Sequence, residues 1–169
     1  MSKINIAIAG VGNCSSALIQ GVEYYKENPE DTIGLMFEDI GGFSAKNFNF
    51  VVGFDVDARK VGQRLNNSIY AKPNCNMEVY PPSIAPHMHD LHPDISFVED
   101  TETLAITANE YIQILKDNKV DVLLNYMPVG SETAARWHIE NAIRAGVHIV
   151  NCMPTYISTK DAMELERLA

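Results

Sequence analysis

The chain has 169 residues, 46% hydrophobic and 21% charged, the make-up of an ordinary globular domain large enough to bury a core of its own. Its formal net charge of −9 argues against broad binding to nucleic acid or anionic lipid, which needs clustered Lys and Arg, but leaves room for a phosphorylated small molecule in a local site. The apolar runs are too short to span a bilayer, and no signal-peptide pattern follows Met1. Cys14, Cys75 and Cys152 show neither CxxC nor paired spacing, so the reading is a cytoplasmic protein with reduced thiols.

Ile4 to Ala9 (I-N-I-A-I-A) predicts a strand, and Gly10, Gly12 and Asn13 predict the turn that ends it. Ser15 to Lys26 carries Ala17, Leu18 and Val22 at helical spacing and stops at Asn28-Pro29. Residues 30–47 are glycine-rich and read as an insertion. Phe48 to Phe54 is the second predicted strand, with a short helix expected from Ala58 to about Leu65. Residues 66–95 hold five prolines with His87, His89 and His92, and read as a second insertion without a long regular element. Three histidines in such a loop, with no acid or cysteine completing a set, do not predict a metal site.

Further along, Thr103 to Lys116 predicts a helix and Val120 to Leu124 a strand. Ser131 is the expected N-cap of a helix that runs to Ala145 and stops at Gly146. Val147 to Val150 predicts another strand, and Thr159 to Ala169 reads as the amphipathic start of a continuation. This alternation implies an α/β fold, a Rossmann-like doubly wound parallel sheet, spanning residues 1–158.

The chemistry is expected at the carboxyl edge of that sheet. In Gly10-Val11-Gly12-Asn13-Cys14-Ser15, Gly10 permits the tight turn. Gly12 lets the backbone approach a pyrophosphate resting on the positive end of the next helix. Ser15 replaces the usual third Gly or Ala but is still small. Cys14 reads as a packing residue, because no base partner for a nucleophile is evident. Asp55, followed by Val56, ends the second strand where an acid accepts from the ribose hydroxyls and repels a 2′-phosphate, which favours NAD over NADP. Asp57 competes for that role, with a helix N-cap as its simpler reading. The loop Asn125 to Glu132, with Pro128, Gly130 and Ser131, and the segment Asn151 to Pro154 lie at the same edge and are expected to face the dinucleotide.

With these residues in view, the chain closely resembles bacterial myo-inositol-1-phosphate synthases. The resemblance is carried by I-A-G-V-G-N-C-S-S-A-L-I-Q-G-V-E-Y-Y from Ile8 to Tyr25 and F-D-V-D-A-R-K-V-G from Phe54 to Gly62. It continues in K-V-D-V-L-L-N-Y-M-P-V-G-S-E from Lys119 to Glu132 and I-V-N-C-M-P-T-Y-I from Ile149 to Ile157. It implies NAD as cofactor, glucose 6-phosphate as substrate of the full-length enzyme, and a homotetramer. It also implies a reaction in which NAD takes a hydride from the sugar, ring closure follows, and the hydride is returned. Family members are about twice this length, and their catalytic lysines lie mainly in a later domain. No catalytic residue is therefore assigned, and the chain alone is expected to be inactive. The competing readings are another NAD-dependent oxidoreductase and a dinucleotide-sensing module without catalysis.

Overall fold

The computed structural model describes residues 3–74, 106–154 and 165–168, together with the backbone of 87–90. Five parallel strands form one sheet: β1 (Ile4–Ala9), β2 (Phe48–Asp55), β3 (His87–Asp90), β4 (Val122–Asn125) and β5 (His148–Asn151). Their spatial order is β3-β2-β1-β4-β5. The connecting helices are α1 (Asn13–Glu27), α2 (Leu65–Ser68), α3 (Ala108–Asp117) and α4 (Glu132–Ala145).

Alternating side chains of β1 feed two cores, one on each face of the sheet. Ile6 and Ile8 join Ile19 and Val22 of α1 and Leu65 and Ile69 at α2. Ala7 and Ala9 face the other way, into a layer built from Tyr111 and Leu115 of α3 and Ala134, Ala135 and Ala142 of α4. Each fully buried Ile or Leu stabilises such a core by roughly 1.5–3 kcal/mol. The small alanines on the α4 side let helix and sheet approach closely. Tyr111 is enclosed by Phe54, Trp137 and His138, and its hydroxyl lies 2.8 Å from His138 Nδ1.

One irregularity sets the phase of β2. Ile6 pairs with Phe50 but Ala7 pairs with Val52, so Val51 is an extra residue in the ladder. Phe50 accordingly joins the α1 core, whereas Val52 and Phe54 point to the α3–α4 core. After this bulge Asp55 comes up on the α1 side of the sheet, beneath the glycine-rich turn.

Three expectations change. The proline-rich stretch contributes a parallel edge strand, β3, four residues long, because an edge strand needs ladder bonds on one side only and tolerates flanking prolines. The short helix expected from Ala58 is a single turn closed on the carbonyl of Asp57. Gly62 (φ +79°) turns the chain out of it, and α2 starts only at Leu65. The helix expected from Thr103 begins at Ala108, where Thr107 and Glu110 form a reciprocal capping box; residues 103–105 lie outside the described set. Gly146 closes α4 in the left-handed conformation as expected. Of the last predicted helix, residues 165–168 are described and helical.

The insertion at 30–47 lies along α1, tied by Tyr24 to Asp31 (2.5 Å) and by Tyr25 to the carbonyl of Ile33 (2.6 Å). It exposes Ile33, Met36, Phe37 and Ile40, with Met36 88% accessible. Among the described residues, no helix is long and apolar enough to cross a membrane.

Candidate functional site

A cleft of about 330 Å³ opens at the carboxyl ends of β1, β2 and β4. That is where the strand order reverses, from neighbours placed on one side of β1 to neighbours placed on the other, the usual position of a ligand crevice in such sheets. Its floor is the glycine-rich turn, one wall is Asp55 to Asp57 with Lys60 and Asn74, and the opposite wall is Tyr126 to Pro128.

Gly10 and Gly12 shape this floor differently. Gly10 has φ +87°, and a Cβ there would stand 2.9 Å from the backbone carbonyl of Tyr126. It is therefore glycine for the turn and for contact with β4's exit. A Cβ on Gly12 would meet nothing within 4 Å, so its missing side chain leaves open space at the cleft. α1 starts immediately afterwards with no side-chain cap and no acid in its first turn. The positive end of this 15-residue helix is left without a compensating carboxylate of its own, which suits a phosphate group. Ser15 holds the turn from inside, donating to the carbonyl of Gly10 at 2.6 Å.

Asp55 is buried and fully engaged. Its Oδ2 accepts the Val11 N–H at 2.8 Å, and its Oδ1 accepts the N–H groups of Val56 (2.8 Å) and Asp57 (3.0 Å). Lys60, only 3% accessible, lies 3.5 Å from Oδ2. The carboxylate expected to accept from ribose hydroxyls thus already accepts four contacts inside the protein. Asp57 caps the next turn through the N–H of Arg59 (2.9 Å) and pairs with the Arg59 side chain at 2.8 and 2.6 Å. Burial pushes the Asp57 carboxyl up, but the hydrogen bonds and charge of Arg59 outweigh it and hold the group below the usual carboxylate range.

Of the residues singled out in the sequence, Gly10, Val11, Gly12, Asn13, Asp55, Val56, Asp57 and Pro128 line one cleft. Cys14, Ser15, Gly130, Ser131 and Asn151 do not. Cys14 is exposed rather than packed, because α1 turns it outward. Gly130 makes a left-handed turn (φ +95°). Ser131 stands at the N-cap of α4 without a capping bond, and its buried Oγ has no hydrogen-bond partner among the described residues. Asn151 braces two strand ends, accepting from Asn125 Nδ2 at 2.9 Å and donating to the carbonyl of Met153 at 3.0 Å. Sequence reasoning missed Lys60, Pro73 and Asn74. A lysine in a short turn reads as solvated, and nothing in the spacing places Asn74 against the glycine-rich turn. Tyr126 was reached only as part of its loop. Its hydroxyl is pushed up by burial, then by the charge and hydrogen bond of Cys152 and the charge of Cys14. Among the described residues, no group of three or more His, Cys, Asp or Glu could hold a metal.

No family model matches the chain. Among curated proteins it is 38% identical to the inositol-3-phosphate synthase of Mycolicibacterium smegmatis, over 93% of this chain and 45% of that protein. It is 39% identical to the inositol-3-phosphate synthase of Mycobacterium tuberculosis, over 94% and 45% respectively. The chain therefore spans about 45% of the length of the curated relatives it matches. Among solved structures, Ari2 superposes with a TM-score of 0.76 at 28% identity, over 99% of this chain and 50% of that one. A myo-inositol-1-phosphate synthase-related protein from Thermotoga maritima gives 0.75 at 16%, over 96% and 51%. RSP, solved with beta-NAD+ and operator DNA, shares the fold at a TM-score of 0.51 and 16% identity, over 94% and 47%. Along nearly its whole length the chain thus matches the N-terminal portion of the inositol-3-phosphate synthases.

Proposed function

We propose that residues 1–158 are the NAD-binding portion of an inositol-3-phosphate synthase, which at full length converts D-glucose 6-phosphate to 1L-myo-inositol 1-phosphate. The observation that carries the reading is the open space above Gly12 at the uncapped start of α1, in a chain whose 38–39% identical relatives bear that name. The bound nicotinamide supplies reversible hydride transfer. This chain's residues bind and orient it. The turn from Gly10 to Asn13 and the first turn of α1 receive the pyrophosphate. Asp55 and Asp57 stand at the adenosine side, where negative charge disfavours a 2′-phosphate. Pro128 and its loop flank the other side, with Gly130, Ser131 and Asn151 supporting that edge. Glucose 6-phosphate as substrate, a tetrameric assembly and a cytoplasmic location belong to the same proposal. The net charge of −9 supports a role without nucleic acid.

The test is calorimetric titration of the chain with NAD and NADP. NAD is expected to bind and to be preferred. Gly12→Val should abolish binding with an unchanged circular dichroism spectrum, because the added side chain fills ligand space rather than protein space. Retained binding in a folded Gly12→Val variant would show that the turn faces something else.

A further inference from the structure

Lysine is almost never fully buried without partners. Lys60 is the most deeply buried cation among the described residues, and it lies directly under the glycine-rich turn. Its ammonium has three N–H donors and three acceptors around it: the Val11 carbonyl at 2.8 Å, Asn74 Oδ1 at 3.0 Å and Asp55 Oδ2 at 3.5 Å. No donor remains for a ligand, so the group acts through the turn and not by touching a cofactor.

Charge balance gives this arrangement its meaning. The cleft wall carries two buried carboxylates, Asp55 and Asp57, in a site read as holding a pyrophosphate. Asp57 is offset by Arg59. Asp55 has three backbone amides, which carry no net charge, and Lys60 is its one ion-pair partner among the described residues. Val11 is gripped through both of its backbone groups, its N–H by Asp55 and its carbonyl by Lys60 and by Asn74 Nδ2 at 3.1 Å. Holding the carbonyl fixes the plane of the Val11–Gly12 peptide, and with it the direction of the Gly12 N–H.

We propose that Lys60 is a positioning residue of the dinucleotide site: its buried ammonium compensates Asp55 and pins the Val11 carbonyl, so that the glycine-rich turn can hold an anion beside a carboxylate. The inference rests on the reading of the cleft as an NAD site. It also gives the buried acid at the end of β2 a task inside the turn, distinct from contact with the ribose.

The experiment measures NAD affinity by calorimetry for the chain and for Lys60→Met, Asp55→Asn and the double variant, with melting temperatures alongside. Lys60→Met should weaken NAD at least ~10-fold, because it leaves a buried charge unpaired beside the phosphates. Adding Asp55→Asn to Lys60→Met should recover affinity several-fold, because the neutral amide no longer repels the phosphates. A loss of packing alone would not be rescued in this way. Affinity of Lys60→Met within twofold of wild type, or a double variant that binds NAD no more tightly than Lys60→Met, overturns the proposal. If Lys60→Met is too unstable to titrate, Asn74→Ala removes one ammonium acceptor and one hold on the Val11 carbonyl. Weakening of about threefold or more is then expected, and unchanged affinity overturns the proposal equally. Failure of the wild-type chain to bind NAD overturns the dinucleotide reading itself, and this inference with it.

Discussion

Gly10 and Gly12 lie two positions apart, and each replies to a different neighbour. Gly10 meets protein: its φ of +87° and the 2.9 Å approach to the Tyr126 carbonyl leave no place for a methyl group. Gly10→Ala is expected to destabilise the fold by on the order of 1–3 kcal/mol, read as a lower midpoint in urea. Gly12→Ala meets nothing within 4 Å and should leave that midpoint unchanged while weakening NAD. Equal midpoints for both variants would refute the distinction. The glycine pattern was readable in the sequence, as was an acid at the end of β2, since both follow from local spacing. The occupation of Asp55 was not. Its four contacts come from Val11, its own turn and a lysine five residues on, and chain geometry, not residue type, brings them together.

At the scale of elements, hydrophobic periodicity located four of the five strands and three helices. It failed where backbone chemistry decides: the turn at Asp57 is closed by Gly62, and β3 is too short and too proline-flanked to show a period. The start of α3 shows the reverse case, in which side-chain chemistry is fully legible afterwards. Thr107 accepts from the Glu110 N–H at 3.3 Å, and Glu110 Oε2 accepts from the Thr107 N–H at 2.7 Å. Thr107→Ala should cost about 1 kcal/mol, measured by chemical denaturation at neutral pH. The Glu110 carboxyl is held low first by the Thr107 backbone bond and then by its hydroxyl. A depressed folded value means that its contribution is present above the ordinary 4.5 and is lost as pH falls through the folded value. The difference between wild type and Glu110→Gln should therefore shrink on acidification below that point. A gap that widens in acid would contradict the assignment.

For the whole molecule, the sheet brings the ends of β1, β2 and β4 to one cleft, but the ring closure proposed for the full-length protein needs more than a cleft that receives a dinucleotide. It needs a proton acceptor and cations facing the developing enolate and the substrate phosphate. The lysine that lines the cleft, Lys60, has its ammonium committed to the turn. The 169-residue chain incubated with NAD and glucose 6-phosphate is therefore expected to yield no inositol phosphate. Turnover comparable to a full-length synthase would place the catalytic groups within it. Fold and edge were legible here because a strand–helix alternation has few chiral solutions. The phase of β2 was not, because the bulge at Val51 leaves no mark on composition.

The insertion at 30–47 has a colloidal consequence. Ile33, Met36, Phe37 and Ile40 are exposed apolar side chains of one segment whose attraction reaches only contact distance, on a molecule whose charge of −9 repels its copies from farther away. The range of that repulsion is set by the solution, about 30 Å at 0.01 M salt and about 3 Å at 1 M. Added salt should thus bring copies together, opposite to what a charge-paired contact would do. Sedimentation velocity across that range should show the weight-average mass rising with salt, and Met36→Ser with Phe37→Ser should hold it at its low-salt value throughout.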